Sequence, residues 1–411
     1  MKKNLNVWTL AGFLVGPVLG SGVVLLPPLA LEKAGAGAFS AWVVTLVLMG
    51  VFAGVCAALA LRFPGDGGLT AAVGAAFGDR YRTLCGRLLA GAVCFGPAAV
   101  LLMTGEFLGE IVPQFGGETA GAWFFLALCV ALLLRRVSFA GMLALVCSTV
   151  IGAGFLCGSL SVLFFGEEAT ALALTVPSPA AFGETLVLLF WAVIGWEILG
   201  NYTLEIESPK RSIPLAAGIA FCAICAVYLA IAAALPRIGA GGTIPSMTDL
   251  LTPLFGSFAS PLLAVFGILL CVCTYLMVVG GVSRLVASMA ERGELPRMLA
   301  LRNKEGAPSR AIAALGCVHG AGLLLSSLSV LDVASLVGAA NGLFLLNSLL
   351  AVAAAARLLR SPAVRTASAV LAACFLILFA LADRTALLVS VTVLLFSLKE
   401  ASRGDRVAVS G

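Results

Sequence analysis

The stretch Gly20-Ser21-Gly22 interrupts an apolar run that extends from Val7 to Leu31. Two glycines around a serine are poor helix residues, because glycine lacks a Cβ and the serine hydroxyl competes for backbone hydrogen bonds. In hydrocarbon, a broken helix is tolerated only where its free N–H and C=O groups line a cavity enclosed by protein. The stretch therefore predicts a polar site near the middle of a membrane. The alternative is that these small residues only let a neighbouring helix approach closely.

The composition of the chain is that of a membrane protein. Of its 411 residues, 61% are hydrophobic and 11% are charged, whereas soluble domains carry about 25% charged residues. The net charge of +5 comes from basic residues in short loops between apolar runs, so we expect no nucleic-acid partner. The single histidine, His319, is predicted to be a packed polar residue rather than a metal ligand. We expect no metal site and no cofactor.

Apolar runs long enough to cross a bilayer, which takes about 20 residues, are predicted at twelve places. They cover residues 8–31, 40–61, 83–111, 121–134, 139–165, 182–204, 213–235, 259–282, 311–328, 333–356, 366–381 and 385–398. Lysine and arginine concentrate at the N-terminus and in the loops after even-numbered spans. Loops rich in these residues are retained in the cytoplasm. The sequence therefore predicts a multi-pass protein with both termini cytoplasmic.

A second interrupted span occupies the middle of the chain. Residues 190–201 contain Gly195 and the acidic Glu197 within an apolar run, and Gly195 follows Gly20 by 175 residues. The interruptions fall in the first and sixth spans, so each repeat would hold five spans, an odd number, and the second half would enter the membrane from the opposite face. Paired interrupted helices in two inverted halves point to the binding site of a secondary transporter. The expected units are a first repeat in 1–165, a second in 166–360, and two further spans with a cytoplasmic tail in 361–411.

Few ionisable or amide side chains lie within the spans, which makes each of them informative. Glu197 is the candidate carboxyl for taking up and releasing a proton; the alternative is that it ties neighbouring helices together. Glu106 and Glu110 are expected to face a solvated vestibule near the outer end of the third span. Asn341, in the tenth span, is either part of the pocket lining or an interhelical hydrogen bond.

Four stretches resemble motifs of the amino acid–polyamine–organocation (APC) superfamily of transporters. They are 20–27 (Gly-Ser-Gly-Val-Val-Leu-Leu-Pro), 190–197 (Phe-Trp-Ala-Val-Ile-Gly-Trp-Glu), 205–214 and 290–296. The compact loops look most like those of bacterial exporters of methionine and branched-chain amino acids. The resemblance implies an all-α integral membrane fold of twelve transmembrane helices. That fold is a five-plus-five inverted repeat, like that of the leucine transporter, with helices 1 and 6 broken.

The resemblance also implies roles for individual residues. Backbone N–H groups at the first break would hold the substrate carboxylate, because the positive end of the outer half-helix points there. The substrate ammonium would face carbonyl groups at the ends of the broken segments. The predicted substrate-binding residues are Gly20, Ser21, Gly22, Val23, Trp191, Ile194, Gly195, Trp196, Val278 and, from the tenth span, Asn341; the predicted proton-coupling residue is Glu197.

Departures from the superfamily's cationic-substrate antiporters point to a neutral substrate. Pro17 stands where those antiporters carry a polar residue, and Val278 removes an aromatic face for a cation. The fifth span contains no lysine, the residue that stands in for sodium in some proton-coupled relatives. The remaining pocket is apolar and has no second acid to pair with a cationic side chain, whose unpaired burial would be very costly.

The sequence thus predicts a secondary active transporter, not an enzyme, that exports methionine, leucine, isoleucine and valine across the bacterial inner membrane by proton antiport. An importer or an exchanger is the alternative, because alternating access runs in whichever direction the larger gradient drives. A channel or a receptor-like amino acid sensor would share the pocket but lack saturable counterflow. The expected partners are the amino acid, a proton or in its place sodium, and the bilayer, with the protein a monomer or a homodimer.

Overall fold

The structure, a computed structural model, describes residues 4–115, 117–166, 178–238, 244–382, 384 and 386–395. Over these residues the backbone is almost wholly helical, with one isolated parallel bridge between Leu5 and Ile206. Part of the predicted twelfth span and several basic residues that support the predicted orientation lie outside the described residues: Lys2, Lys3, Lys399, Arg403 and Arg406.

The α-helices of the described chain are labelled in order. They are α1 Val7–Leu19, α2 Gly22–Ala34, α3 Ala38–Arg62, α4 Leu69–Phe77, α5 Asp79–Ile111, α6 Gly117–Leu133, α7 Val137–Phe165, α8 Pro179–Leu189, α9 Pro209–Ile238, α10 Met247–Phe255, α11 Ala259–Glu291, α12 Ser309–Ser327, α13 Val333–Leu358, α14 Pro362–Ala380 and α15 Ala386–Leu395. Two 3-10 helices, Phe190–Val193 and Trp196–Glu205, follow α8.

Nine regions of the described chain are long and apolar enough to cross a membrane. One of them, Val7–Arg62, holds both the broken first helix and α3. Two shorter apolar helices, Gly117–Leu133 and Ala386–Leu395, lie outside the nine. With the double region counted as two spans and the short helices added, the described helices are compatible with the twelve predicted spans.

The two halves of the bundle repeat one order of helix lengths. Each half begins with a broken helix and a long helix, α3 of 25 residues or α9 of 30. A nine-residue helix follows, α4 or α10, and then a 33-residue helix, α5 or α11. A helix of 17 or 19 residues, α6 or α12, and one of 29 or 26, α7 or α13, complete each half. This order is the one that a five-plus-five repeat requires, and α14 and α15 lie outside it.

Helix α1 lies at the centre of the bundle, packed against α7, α9 and α11. Its residues from Thr9 to Leu19 are buried apart from Pro17, which is half-buried. A Cβ at Gly12 would lie 2.3 Å from the Leu145 Cα of α7, so the two backbones touch there, as small residues permit in membrane bundles. This packing holds the end of α1, and the break that follows it, in the middle of the protein.

Candidate functional site

The first interruption predicted from the sequence is a break in the helix. Helix α1 ends at Leu19, Gly20 has φ +36° and ψ −148°, and α2 begins two residues later. Side chains are strained at this φ. A Cβ on Gly20 would lie 2.5 Å from the Pro17 carbonyl oxygen and 2.7 Å from Oγ1 of Thr274. Both the backbone conformation and the surrounding space therefore require glycine at this position.

A tyrosine of α9 satisfies the carbonyl groups at the end of α1. The Tyr228 hydroxyl donates to the Val18 carbonyl at 2.9 Å and lies 3.5 Å from the Leu19 carbonyl. Its ring stacks on Trp42 with the centroids 4.3 Å apart. The last carbonyls of a helix have no partner within it, so this hydroxyl supports the break. Tyr228 is not among the residues predicted from the sequence, although a tyrosine in an apolar span calls for a hydrogen-bond partner.

The second interruption is also a break. Helix α8 ends at Leu189 and a short 3-10 segment follows; Ile194 is then extended, with φ −70° and ψ 144°, and Gly195 has φ +120°. Beyond it the chain continues as the 3-10 helix Trp196–Glu205. Runs of 3-10 helix longer than four residues are uncommon, and the sequence pattern did not predict one here. The two breaks face each other across the centre of the bundle, where Gly195 lies against the side chains of Pro17 and Val18.

A small cavity, the inner pocket, lies between the two breaks. Its volume is about 30 Å³, which leaves room for only a few water molecules. No charged side chain of the described chain lines it, so its walls suit an apolar side chain and offer no counter-charge to a cation. The lining residues are Pro17, Gly96, Pro97, Val100, Trp191, Ile194, Thr274, Tyr275, Val278 and Phe344.

A larger cavity, the vestibule, extends from the inner pocket to the protein surface. Its volume is about 670 Å³, within the range of small-molecule sites. Trp191 lines both cavities. A methyl group at Gly22 would lie 3.5 Å from its Cδ1, and one at Gly96 would lie 3.8 Å from its Cη2, so the indole lies between α2 and α5, across the passage. Lys33 and Glu184 lie at the surface mouth of the vestibule, both exposed and 3.5 Å apart.

The structure brings six of the predicted substrate-binding residues to these two cavities. Trp191, Ile194 and Val278 line the inner pocket, and Ser21, Gly22 and Asn341 line the vestibule with Trp191. Among the described cavities, neither of these two is lined by the remaining candidates, Gly20, Val23, Gly195, Trp196 and Glu197. Glu106 and Glu110 line a separate cavity beside α2. That they face a solvated space near the outer end of the third span stays a prediction.

Glu197 is fully buried beside the second break. Its Oε2 accepts a hydrogen bond from the Gly195 N–H at 3.1 Å, and its Oε1 has no hydrogen-bond partner among the described residues. Buried polar atoms without a partner are rare in folded proteins and call for an explanation. A bound cation would supply the missing partner, whereas a proton on the carboxyl would remove the unpaired charge.

The end of the bundle opposite the vestibule is closed by a group of contacts that we call the gate. The Arg284 guanidinium donates to the two carboxylate oxygens of Glu205 at 2.8 and 3.0 Å and lies over the Tyr202 ring, 4.6 Å from its centroid. The Leu5 N–H donates to the Glu205 carbonyl at 3.0 Å, and the Glu207 N–H donates to the Leu5 carbonyl at 2.8 Å. The chain before α1 is thus tied to the end of the second broken helix, and the site is open on the vestibule side.

The comparisons with known proteins agree with this architecture. The family model described as amino acid permease matches residues 5–397. The chain is 27% identical over 379 residues to the L-methionine/branched-chain amino acid exporter YjeH of Escherichia coli (strain K12). The matched region covers 88% of this chain and 87% of that protein. It is 24% identical over 311 residues to the serine/threonine exchanger SteT of Bacillus subtilis (strain 168), over 72% of this chain and 70% of that one.

A solved structure shares the fold. The crystal structure of MhsT in complex with L-phenylalanine matches with a TM-score of 0.65 at 15% sequence identity, over 93% of this chain and all of that one. The expected fold class, an all-α membrane protein with a leucine-transporter-like repeat and broken helices 1 and 6, is confirmed. Because the family model spans almost the whole sequence, this chain belongs to the amino acid permease family of the APC superfamily and is a multi-pass membrane transporter rather than an enzyme.

Proposed function

We propose that this protein exports neutral hydrophobic amino acids, namely methionine, leucine, isoleucine and valine, by proton antiport with alternating access. The observation that carries the proposal is the inner pocket, an apolar hollow between two broken helices that no charged side chain of the described chain lines. Transporters place their substrates at such paired breaks. The similar protein of Escherichia coli is named as an exporter of methionine and branched-chain amino acids, which agrees with this choice of substrate.

The amino acid would bind with its polar end at the first break and its side chain in the inner pocket. In the described chain, the Ser21 side chain makes no capping hydrogen bond to α2, so N–H groups in the first turn of α2 are left for a carboxylate. The inner pocket is too small for a leucine side chain as it stands, so Trp191 would move aside when the substrate enters. Closure of Trp191 behind the substrate would then separate it from the vestibule.

We place the vestibule on the outer face of the bacterial inner membrane and the gate on the cytoplasmic face. Arg136, Arg284 and Arg302 lie at the gate end and Lys33 at the vestibule mouth, which agrees with the bias of basic residues toward the cytoplasm. The structure is then the outward-facing conformation. In an exporter this conformation releases the amino acid and takes up the proton.

Substrate selectivity is the direct test of the proposed function. We expect kcat/KM for leucine and methionine to exceed that for arginine by at least about 100-fold, because an unpaired cation in the inner pocket costs about 3 kcal/mol or more. The measurement is the flux of labelled amino acids in proteoliposomes that contain the purified protein. Faster transport of arginine than of leucine would overturn the proposal.

The same vesicles distinguish a carrier from a channel or sensor. Unlabelled leucine on the far side should accelerate the flux of labelled leucine, since a carrier returns faster when loaded. A channel shows no such acceleration, and a sensor shows no flux. An exchanger would transport only with amino acid on both sides, whereas the proposed antiporter also moves leucine when a proton gradient is the sole driving force.

We propose Glu197 as the proton-coupling residue, because it is buried and its Oε1 lacks a partner among the described residues. A charged carboxylate without a cation is costly inside a membrane, so loading and release of a proton would accompany the conformational change. We expect Glu197→Gln to keep leucine exchange but to lose the response of flux to a pH gradient, since glutamine can still accept from Gly195 but cannot release a proton.

The matched control for this variant is Glu184→Gln, because Glu184 is exposed at the mouth of the vestibule. It should keep the response to the pH gradient. Leucine flux would be recorded in proteoliposomes with imposed pH gradients of both directions. If the Glu197 variant responds to the gradient like the unmodified protein, coupling belongs to sodium or to another residue.

A further inference from the structure

Pro97 leaves one carbonyl group of α5 without its helical partner. Proline has no N–H, so the carbonyl of Val93, four residues earlier, receives no hydrogen bond from position 97. Inside a membrane, a carbonyl freed in this way has to be satisfied by a neighbouring group. The donor is His319 of α12, whose Nε2 lies 2.7 Å from the Val93 oxygen. A carbonyl can only accept, so Nε2 carries the hydrogen.

The other ring nitrogen of His319 holds a second helix. Its Nδ1 lies 2.8 Å from the hydroxyl oxygen of Tyr275 in α11. In a neutral imidazole with its hydrogen on Nε2, Nδ1 is an acceptor, so the Tyr275 hydroxyl donates to it. His319 is fully buried and Tyr275 is 1% exposed. One buried side chain therefore joins α5, α11 and α12 by two hydrogen bonds of ordinary length.

Both helices that His319 holds form walls of the inner pocket. Pro97 of α5 and Tyr275 of α11 line it, whereas among the described cavities neither the inner pocket nor the vestibule is lined by His319 itself. The Tyr275 hydroxyl is turned to the histidine, so its ring is the part that bounds the pocket. In a hollow this small, a shift of the ring or a straightening of α5 changes which side chains fit, because close-packed interiors have little free space.

We propose that His319 is a positioning residue that sets the size and shape of the substrate side-chain pocket from behind, and thereby the selectivity among hydrophobic amino acids. This inference rests on the proposed function and deepens it. The histidine fixes the wall on the α5 side by satisfying the carbonyl that Pro97 frees, and the wall on the α11 side by orienting Tyr275. Its role is geometric, so the response of transport to pH stays with Glu197.

The test compares His319→Leu with His319→Gln in the full-length protein in proteoliposomes. Leucine loses both hydrogen bonds, whereas glutamine can supply one donor and one acceptor. We expect the ratio of kcat/KM for leucine to that for the larger phenylalanine to fall about tenfold in His319→Leu, mostly through KM. His319→Gln should stay within about threefold of the unmodified protein. Cys317→Ala, on the exposed face of the same helix, should leave the ratio unchanged.

A double-mutant cycle tests the link to Pro97. Pro97→Ala restores an N–H for the Val93 carbonyl, so His319→Leu should change the selectivity less in the Pro97→Ala background than in the unmodified one. Independent sites would instead show additive effects. Additivity, or an equal loss of transport for leucine and phenylalanine in His319→Leu, would overturn the proposal, since either result describes a residue that only supports folding.

The role of His319 can be tested even if one variant does not fold, and separately from the proposed function. If His319→Leu does not fold, Tyr275→Phe takes its place, because it removes one hydrogen bond and keeps the ring; an unchanged leucine-to-phenylalanine ratio in that variant contradicts the inference. The failure of the proposed function is separate, because it shows as an absence of leucine flux in the unmodified protein. Unchanged selectivity in the variants of an active leucine carrier refutes the role of His319 alone.

Discussion

Replacement of Gly20 by alanine is expected to abolish amino acid transport while the protein still inserts into the membrane. At φ +36° an alanine is strained by about 1–3 kcal/mol. Its Cβ would also lie 2.5 Å from the Pro17 carbonyl and 2.7 Å from the Thr274 hydroxyl, so the break has to shift. A displaced break moves the first N–H groups of α2 away from the place where we expect the substrate carboxylate. We expect less than about 1% of the unmodified leucine flux.

The matched control is Gly54→Ala in α3. Gly54 also lies in a membrane helix, but within the described chain no atom outside its chain neighbours and the adjacent backbone of its own helix lies within 4 Å of the Cβ that an alanine would add, and its φ is not positive. Leucine flux and binding would be measured for both variants, with size-exclusion chromatography to establish that each is folded. Normal flux in Gly20→Ala would mean that the break does not hold the substrate.

The two breaks could be predicted because their causes are local. Other spans also place glycine beside polar residues, as in Thr104-Gly105-Glu106, so the breaks are marked by the matching positions of Gly20 and Gly195, 175 residues apart, at the start of each half. The ends of helices were less predictable: α11 continues to Glu291, nine residues beyond the predicted end at 282, because a helix that leaves the bilayer carries charged residues and stays helical. The nine-residue helices α4 and α10 were missed, since they lie in the loops between predicted spans.

The supports of the site could not be predicted, because their partners lie far away in the sequence. Tyr228 bonds to a carbonyl 210 residues before it, and His319 bonds to one 226 residues before it. Pro97 does show in the sequence that a carbonyl of α5 lacks its helical partner. The identity of the donor depends on how α12 packs against α5, which no local pattern contains.

The sequence pattern also could not predict that the site is divided into two cavities. Asn341 and Phe344 are three residues apart on α13, yet Asn341 lines the vestibule and Phe344 lines the inner pocket. Residues three apart share one face of a helix, so the sequence pattern groups them together. The boundary between the cavities is formed by Trp191, which lines both of them and comes from the 3-10 segment at the second break.

Removal of Arg284 is expected to open the gate. Arg284→Met leaves the buried carboxylate of Glu205 without its cation, and loss of one partner of a buried ion pair costs about 3–5 kcal/mol. This cost destabilises the closed gate, in which Glu205 is buried, but not an open gate, in which Glu205 is exposed to water. We therefore expect the amides of Leu5 and Glu207, which are hydrogen-bonded across the gate, to exchange with deuterium at least about 100-fold faster. The KM for leucine added on the vestibule side should rise, because fewer molecules are open there.

The matched control is Arg136→Met at the same end of the bundle. Arg136 pairs with Glu305 at 2.5 Å, but their side chains are 62% and 39% exposed, and such surface pairs contribute about 0–1 kcal/mol. Exchange at Leu5 should then change less than about tenfold. Equal effects of the two substitutions would indicate that general charge at this end, and not the buried pair, keeps the gate closed.

A double variant separates the charge of Glu205 from the contacts of Arg284. Glu205→Gln combined with Arg284→Met removes both charges, and replacement of a whole buried pair is often close to neutral where removal of one partner is not. We expect the double variant to recover most of the protection at Leu5 that Arg284→Met loses. If instead it exchanges as fast as the single variant, the gate depends on the stacking of Arg284 on Tyr202 and on its bond to the Gly280 carbonyl. If exchange is slow in both the single and the double variant, the backbone pairing of Leu5 with Glu205 and Glu207 is the contact that closes this end of the transporter.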